Sequence, residues 1–218
     1  MEHEENVTSG NMYRPVFVAT AIILFLFASF LHFWRLGQIP NGLFIDESSV
    51  GYNAYCIYRN GTDEHNISCP VFFKSFGNYQ EPVMIYSVIP FVAAGGLEIG
   101  MIRIPSALYM ILASVAFYFL CNMYFRDKWV SLLGAFVFSL LPWTFPLSRT
   151  AMGGYTAMLF GMICGWAFLI KAIRDRSRLS ACLSGIFWAF AMYAHNIGRP
   201  MTVIFLCCFM ISFNVQLI

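Results

Sequence analysis

Residues 15–34 read PVFVATAIILFLFASFLHFW, twenty positions without a charged side chain. At about 1.5 Å of rise per residue, a helix of this length matches the hydrocarbon core of a bilayer, which is about 30 Å thick. Acidic residues precede the run (Glu2, Glu4 and Glu5). The run is also longer than the apolar region of a cleaved signal peptide. The stretch therefore predicts a membrane-spanning helix that follows a cytoplasmic tail at residues 1–14.

The composition of the whole chain agrees with a membrane protein. Hydrophobic residues make up 59% of the 218 positions and charged residues only 11%, whereas soluble domains carry about 25% charged residues. The formal net charge is only +2, which gives no sign of a nucleic-acid partner. We predict an all-α membrane protein, a multi-spanning helical bundle of about six to seven spans. The apolar runs after the first are residues 82–97, 104–125, 129–147, 154–170, 180–194 and 200–218.

Basic residues in the short connections predict the orientation of these spans. Lys and Arg are densest at residues 171–178 and next densest at 126–128, and such segments are usually cytoplasmic. Residues 36–102 then form one large extracytoplasmic loop that carries interfacial helices. Within it, the short and proline-containing run 82–97 is predicted as a re-entrant or surface-lying helix. The alternative, a full span, would move both basic segments to the outer side.

The predicted loop is rich in carboxylates, as an enzyme acting at a membrane surface would require. A proton-relay pump would more often place its acids within the spans. Six of the eleven acidic residues lie in this loop: Asp46, Glu47, Asp63, Glu64, Glu81 and Glu98.

Asp46 stands where an amphipathic helix is predicted to begin. Aliphatic and aromatic residues surround it and recur as far as Asn60-Gly61, a pattern typical of a helix in the membrane interface. Asp46 could cap that helix by accepting backbone N–H bonds. It could also serve as a general base, because a carboxylate beside a helix start keeps its charge. The two roles are compatible.

Other polar residues of the loop are candidates for substrate binding. His65 lies beside two acids and could ligate a divalent ion, although a solvated turn is the simpler interpretation of that segment. Pro82 favours a helix start, which places Glu81 at the cap, where it could also line a polar pocket. The candidates in the loop are Tyr52, Asp63, Glu64, His65, Tyr79 and Glu81.

Three arginines are predicted at the outer ends of spans. Arg103, Arg149 and Arg199 could each be an interfacial anchor with its head group in water. Together they could bind an anionic head group through charge-assisted hydrogen bonds. Two loop cysteines, Cys56 and Cys69, could form a disulfide in an oxidising compartment or remain free.

The loop resembles the N-terminal module of the GT-C-fold membrane glycosyltransferases, in the branch of protein O-mannosyltransferases and aminoarabinose transferases. The resemblance covers roughly residues 15–200, and it rests on the order and spacing of its motifs. The motifs are Leu43-Phe44-Ile45-Asp46-Glu47, Gly51-Tyr52-Asn53-Ala54, Gly61-Thr62-Asp63-Glu64-His65, Phe76-Gly77-Asn78-Tyr79-Gln80-Glu81-Pro82 and Ile102-Arg103-Ile104-Pro105-Ser106-Ala107-Leu108.

The resemblance implies a polyprenyl- or dolichyl-phosphate sugar as donor and a hydroxyl of a protein, lipid or glycan as acceptor. Transfer would occur on the extracytoplasmic face of the cell membrane, or of the endoplasmic reticulum in a eukaryote, with inversion. Asp46 matches the catalytic base of the family, and Glu47 would help to position a substrate. Arg103 matches an arginine that could offset charge on the departing lipid phosphate.

The sequence departs from the family at three points. Relatives carry Lys or a second Pro where this chain has Gln80-Glu81-Pro82. Many carry an Asp where residues 148–155 hold no acid, which leaves a second carboxylate and a bound divalent metal open. Relatives are about twice as long or more, so the chain is expected to be a fragment, a truncated product or half of a split enzyme.

The rival interpretation is a non-catalytic or degenerate membrane subunit, or a transporter. Transporters place polar residues in broken spans near mid-membrane. Residues 104–125 and 129–147 offer only Asn122 and hydroxyl side chains, which disfavours a transporter.

Overall fold

The computed structural model describes the backbone of residues 2–215 and the side chains of residues 14–211. This part of the chain is mainly helical, with one short hairpin, which confirms the predicted all-α class. The elements are, in order, α1 (Glu2–Phe33), α2 (Ile45–Asn60), β1 (Phe73–Ser75), β2 (Asn78–Gln80), α3 (Pro82–Gly95), α4 (Ile99–Phe125), α5 (Lys128–Leu140), α6 (Thr144–Ser148), α7 (Tyr155–Asp175), α8 (Arg178–Ala194) and α9 (Gly198–Val215). The predicted tail at residues 1–14 continues α1 from Glu2, and nearly all of its side chains lie outside the described part.

Three helices are long and apolar enough to cross a membrane: Arg14–Phe33 within α1, α4 and α7. The chain is thus a helical protein with membrane-spanning character. The predicted run 129–147 is divided, because α5 ends at Leu140 and α6 begins at Thr144. Pro142 explains the break: proline disfavours helical backbone in the residue before it, and Leu141 is extended with ψ 139°.

The helix packing shows which connecting segments lie together at each end of the bundle. Near the start of α1, Phe17 packs edge-on against Trp129 at the start of α5, with ring centroids 5.2 Å apart. The starts of α4 and α7 also meet, because the hydroxyls of Ser106 and Thr156 are hydrogen-bonded at 3.0 Å. Both basic segments, which follow α4 and α7, therefore lie together at one end. The segments that precede α4 and α7 lie at the other end.

A buried apolar core joins α2, α3, β1 and α4 at that second end. Helix α3 is 14 residues long, about 21 Å, which is too short to cross a bilayer. The short helix predicted for this run is confirmed, while its re-entrant or surface-lying position stays a prediction. The core residues include Val50, Ala54, Phe73, Met84, Ile85, Val88, Val92 and Ile102.

The chain passes very close to α8 where α7 begins. Gly154 has φ 73°, and a Cβ added there would lie 2.3 Å from the carbonyl oxygen of Ala194. Only glycine fits this left-handed backbone at such a close approach. The contact holds the connection between α6 and α7 against the end of α8.

Candidate functional site

Helix α2 stops where its sequence predicts and begins one residue before Asp46. The N-cap is Phe44, in extended backbone, and the helix stops at Gly61, whose φ of 74° is left-handed, as is common at helix ends. The interpretation of Asp46 as the N-cap is wrong: Asp46 is the second helical residue. Its carboxylate still lies in the first turn, where the helix dipole favours negative charge.

The Asp46 side chain is half-buried. Among the described side chains and backbone groups, none forms a hydrogen bond or an ion pair with its carboxylate. A carboxylate that is held on a helix but has no protein partner can accept a proton from a bound molecule. A free carboxylate is one requirement of a general base, and hydrogen-bond reach of the substrate proton is the other.

Glu47, the next residue, is almost fully buried and is paired with Arg103 of α4. The Arg103 Nε and Nη2 atoms donate to Oε1 and Oε2 of Glu47 at 2.8 and 3.0 Å. The backbone N–H groups of Phe44 and Ala151 donate to the same carboxylate at 3.0 and 2.8 Å. Burial raises the pKa of Glu47, but these hydrogen bonds outweigh it and hold the pKa below its ordinary value.

Arg103 itself is fully buried and uses all five of its N–H donors on protein acceptors. Besides Glu47, it donates to the carbonyl oxygens of Leu36, Pro40 and Gly42 at 3.1, 2.8 and 2.6 Å. Arg103 thereby fastens the segment after α1 to the starts of α2 and α4. In this conformation it has no donor left for a lipid phosphate.

Arg149, at the end of α6, is likewise buried and bound to backbone carbonyls. It donates to the oxygens of Leu31, His32, Trp34 and Ile39, the last three at 3.0, 2.6 and 3.0 Å. The carbonyls at the end of a helix lack intrahelical partners, and a cation there also complements the helix dipole. Arg149 therefore closes the C-terminal end of α1.

Arg199 is the third predicted arginine, and its position differs from that of the other two. Its side chain is 46% exposed, and its Nη2 atom lies 3.9 Å from Oε1 of Glu81. The guanidinium stacks over the ring of Phe72 at 5.3 Å, and Phe72 stacks on Tyr193 of α8. Burial raises the pKa of Glu81, and the nearby Arg199 offsets only part of that rise. Of the three arginines, Arg199 is the one whose side chain is exposed and whose guanidinium makes no hydrogen bond at 3.5 Å or less among the described residues.

The segment between α6 and α7 contacts Glu47, the neighbour of Asp46, and also His195, which lies four residues before Arg199. Ala151 donates to Glu47, as described, and a Cβ at Gly153 would lie 3.2 Å from the His195 ring. His195 stacks on Tyr155 with centroids 3.9 Å apart, and burial lowers its pKa to about 4. Its Nδ1 atom accepts the Ile197 N–H at 3.1 Å, so the neutral ring carries its proton on Nε2.

An open groove of about 450 Å³ lies on the same side of the bundle, next to the start of α3. It runs between the segment before β1, α3, α4 and α8, and its walls include Val71, Val83, Tyr109 and Phe190. Val71 precedes Phe72, the residue under the Arg199 guanidinium, and Phe190 lies one turn before Tyr193. The groove is therefore mainly apolar, and two of its wall residues are near in sequence to the aromatic residues that pack by Arg199.

The three polar residues at 63–65 fold onto α2 and do not converge on one point. The Asp63 carboxylate accepts the backbone N–H groups of His65 and Ile67. Buried Asn53 bonds the backbone and side chain of Glu64 at 3.1 and 2.9 Å. In the part of the chain that the structure describes, no three His, Cys, Asp or Glu side chains are grouped to hold a metal ion.

The remaining predicted positions lie on the surface of the same region. Tyr52 and Tyr79 are 49% and 63% exposed, and Glu81 is the N-cap of α3 directly before Pro82, as predicted. Cys56 is buried and Cys69 exposed, and both thiols are free. The β1–β2 hairpin was not predicted. Its turn holds Phe76, which begins one of the family motifs but was not among the predicted site residues.

Comparison with known protein families, with curated proteins and with solved structures found no match to this chain.

Proposed function

We propose that the chain is a GT-C-type glycosyltransferase module. It transfers a sugar from a polyprenyl- or dolichyl-phosphate donor to an acceptor hydroxyl, with inversion. The observation that carries this proposal is the half-buried Asp46 carboxylate, which has no partner among the residues that the structure describes and precedes the Glu47–Arg103 ion pair. The motif order of residues 43–108 supports the choice of this enzyme class.

In the proposed reaction, Asp46 takes the proton of the acceptor hydroxyl as that oxygen attacks the anomeric carbon. The bond from that carbon to the lipid-phosphate oxygen breaks, and the electron pair leaves with the phosphate. Attack from the face opposite the leaving group inverts the anomeric carbon. Glu47 acts through Arg103 as a positioning residue, because its oxygens are occupied by protein donors.

The donor phosphate is assigned to Arg199, because Arg103 and Arg149 are buried and donate to backbone carbonyls or to Glu47. A guanidinium can make charge-assisted hydrogen bonds to phosphate oxygens and offset the charge that develops there. The groove next to the start of α3 is apolar and would hold the first isoprene units of the carrier. No step requires a metal from this chain.

The proposed topology has six spans: α1, α4, the broken pair α5 and α6, α7, α8 and α9. Helix α3 is re-entrant or surface-lying, and residues 36–102 face the extracytoplasmic side of the cell membrane, or the lumen of the endoplasmic reticulum in a eukaryote. Membrane-impermeant thiol labelling of Ser48→Cys and Ser177→Cys in a cysteine-free background tests this arrangement. Labelling of position 48 from outside and of 177 only after permeabilisation is expected; the reverse pattern would contradict it.

The function is tested by supplying the purified chain, in lipid vesicles, with a panel of radiolabelled polyprenyl-phosphate sugars. We expect release of labelled sugar from at least one donor, to an added membrane extract or to water, above that of empty vesicles. A chain that binds the donors without releasing sugar would instead be a non-catalytic subunit, and the enzyme proposal would fail.

Replacing Arg199 with Ala is expected to weaken donor binding about 10- to 100-fold, the loss of one or two charge-assisted hydrogen bonds. Titration of a polyprenyl-phosphate sugar into the reconstituted protein measures the affinity. Arg174→Ala, which removes an exposed arginine from the opposite end of the bundle, is the matched control and should leave binding unchanged. Equal affinities for both variants would remove the phosphate role from Arg199.

A further inference from the structure

The turn of the β1–β2 hairpin holds an aromatic residue that neither the backbone nor the packing explains. Ser75 pairs with Asn78, so Phe76 and Gly77 form a two-residue turn with φ 45° and 81°. Such turns favour Asn or Gly at the first position, because side chains rarely adopt left-handed backbone. The Phe76 ring is 76% exposed. Strained residues that are not required by the core are concentrated at binding sites.

The hairpin is anchored on α2 one helical turn from Asp46. Phe73 of β1 is buried in the core with Val50 of α2. Two residues later, the hydroxyl of Ser75 donates to that of Ser49 at 2.8 Å. Phe76 follows Ser75 directly, and Asp46 precedes Ser49 by three residues, one turn along the same helix face. The Phe76 turn and the Asp46 carboxylate therefore both lie within about one helical turn of the contact between Ser75 and Ser49.

The same hairpin separates Phe76 from the proposed phosphate site. Strand β2 leads from the turn to Glu81, which faces Arg199. At about 3.3 Å per residue, its length places the turn roughly 10 Å from Glu81. The sugar of the donor is attached directly to the phosphate, on the Arg199 side. The turn is therefore set apart from the proposed phosphate site, as a contact to the acceptor would be.

The surroundings of Phe76 combine an aromatic face with hydrogen-bonding groups. Asn78 and Tyr79 are exposed beside it, and Lys74 pairs with Tyr79 across the hairpin. A pyranose ring presents a flat face of C–H groups and a rim of hydroxyls, which matches this combination. We propose that Phe76 stacks on a sugar ring of the acceptor, which makes the acceptor a glycan. This inference rests on the proposed function for the role of Asp46.

Binding of simple glycosides without donor tests this platform separately from catalysis. The probes are methyl α-mannopyranoside and methyl β-glucopyranoside, observed by saturation-transfer NMR with the full chain in nanodiscs. Phe76→Asn removes the ring and suits the turn, whereas Phe76→Tyr keeps the ring. We expect saturation of ring protons with the wild type and with Phe76→Tyr. Affinity should be about tenfold lower with Phe76→Asn, the value of an aromatic contact.

Four results would overturn the platform. The first is the absence of glycoside binding to the wild type, and the second is equal binding to Phe76→Asn. The third is quenching of Phe76→Trp fluorescence, above the wild-type background, by brominated phosphatidylcholine in the nanodisc, which would make Phe76 a membrane anchor. Phe76→Asn should also unfold at the same or a higher temperature, and a lower one would assign the ring to packing.

Failure of the Phe76 platform can be distinguished from failure of the proposed glycosyltransferase activity. Asp175→Asn, which changes an exposed carboxylate at the opposite end of the bundle, should leave glycoside binding unchanged. Sugar transfer without Phe76-dependent glycoside binding would reject only the platform. Phe76-dependent binding in a chain that never releases sugar from a donor would reject the enzyme and retain the platform.

Discussion

The variant Asp46→Asn is expected to lower the rate of sugar transfer by about 10²- to 10⁴-fold, the contribution of a positioned general base. Asparagine has nearly the same shape as aspartate, so it fits the half-buried site, but its amide cannot take the acceptor proton. Donor binding should be unchanged, because the phosphate is assigned to Arg199. Initial rates of label transfer at saturating donor measure the effect.

The control for this variant is Asp175→Asn, which changes an exposed carboxylate at the opposite end of the bundle. Its transfer rate should equal that of the wild type. If Asp46→Asn transfers sugar at the wild-type rate while binding donor normally, Asp46 is not the base and the proposed mechanism is wrong.

The features that sequence predicted well depend on neighbouring residues. Helix α2 ends at Gly61 and α3 begins at Pro82, as predicted. Glycine accepts left-handed backbone and proline suits the first helical turn wherever they occur. The long apolar runs likewise predicted α1, α4 and α7, because spanning length is a property of the run itself.

The roles of the arginines depend on residues far away in sequence. Arg103 and Arg149 are each bound to carbonyl oxygens of residues 31–42. Every residue has a backbone carbonyl, so residue types do not show where carbonyl acceptors will meet an arginine. The sequence therefore could not distinguish an arginine that binds backbone carbonyls from one that binds an anionic ligand. Arg199 is exposed, as a residue that binds an anionic ligand must be, and for that reason the phosphate role is proposed for it.

The hairpin was missed for a different reason. Its turn sequence is Phe76-Gly77, not the Asn-Gly or Gly-rich pair that predicts a two-residue turn. Each strand has only three residues, too few to show alternation. The hydrogen bond from Ser75 to Ser49 and the burial of Phe73 hold the hairpin on α2, and both are long-range contacts. The Phe76-Gly77 turn, which departs from the usual turn sequence, is also the position for which we propose sugar stacking.

The second large effect is expected from the Glu47–Arg103 ion pair. Arg103→Leu leaves the Glu47 carboxylate buried with only two backbone donors, and it frees three carbonyls of the segment after α1. Breaking a buried pair in this way costs about 3–5 kcal/mol. Thermal unfolding in detergent should show a large loss for Arg103→Leu and a change under about 0.5 kcal/mol for Arg174→Leu, an exposed arginine.

The pH dependence and a double variant separate charge from packing in this loss. Because the folded pKa of Glu47 lies below its ordinary value of 4.5, the pair stabilises the protein above that pH, and the stabilisation disappears as pH falls through the lowered pKa. The deficit of Arg103→Leu should therefore shrink in acid. Glu47→Leu combined with Arg103→Leu should be more stable than Arg103→Leu alone, because no unpaired charge stays buried. If the double variant loses as much free energy of unfolding as the two single variants together, the two side chains contribute by packing and not by their charge interaction.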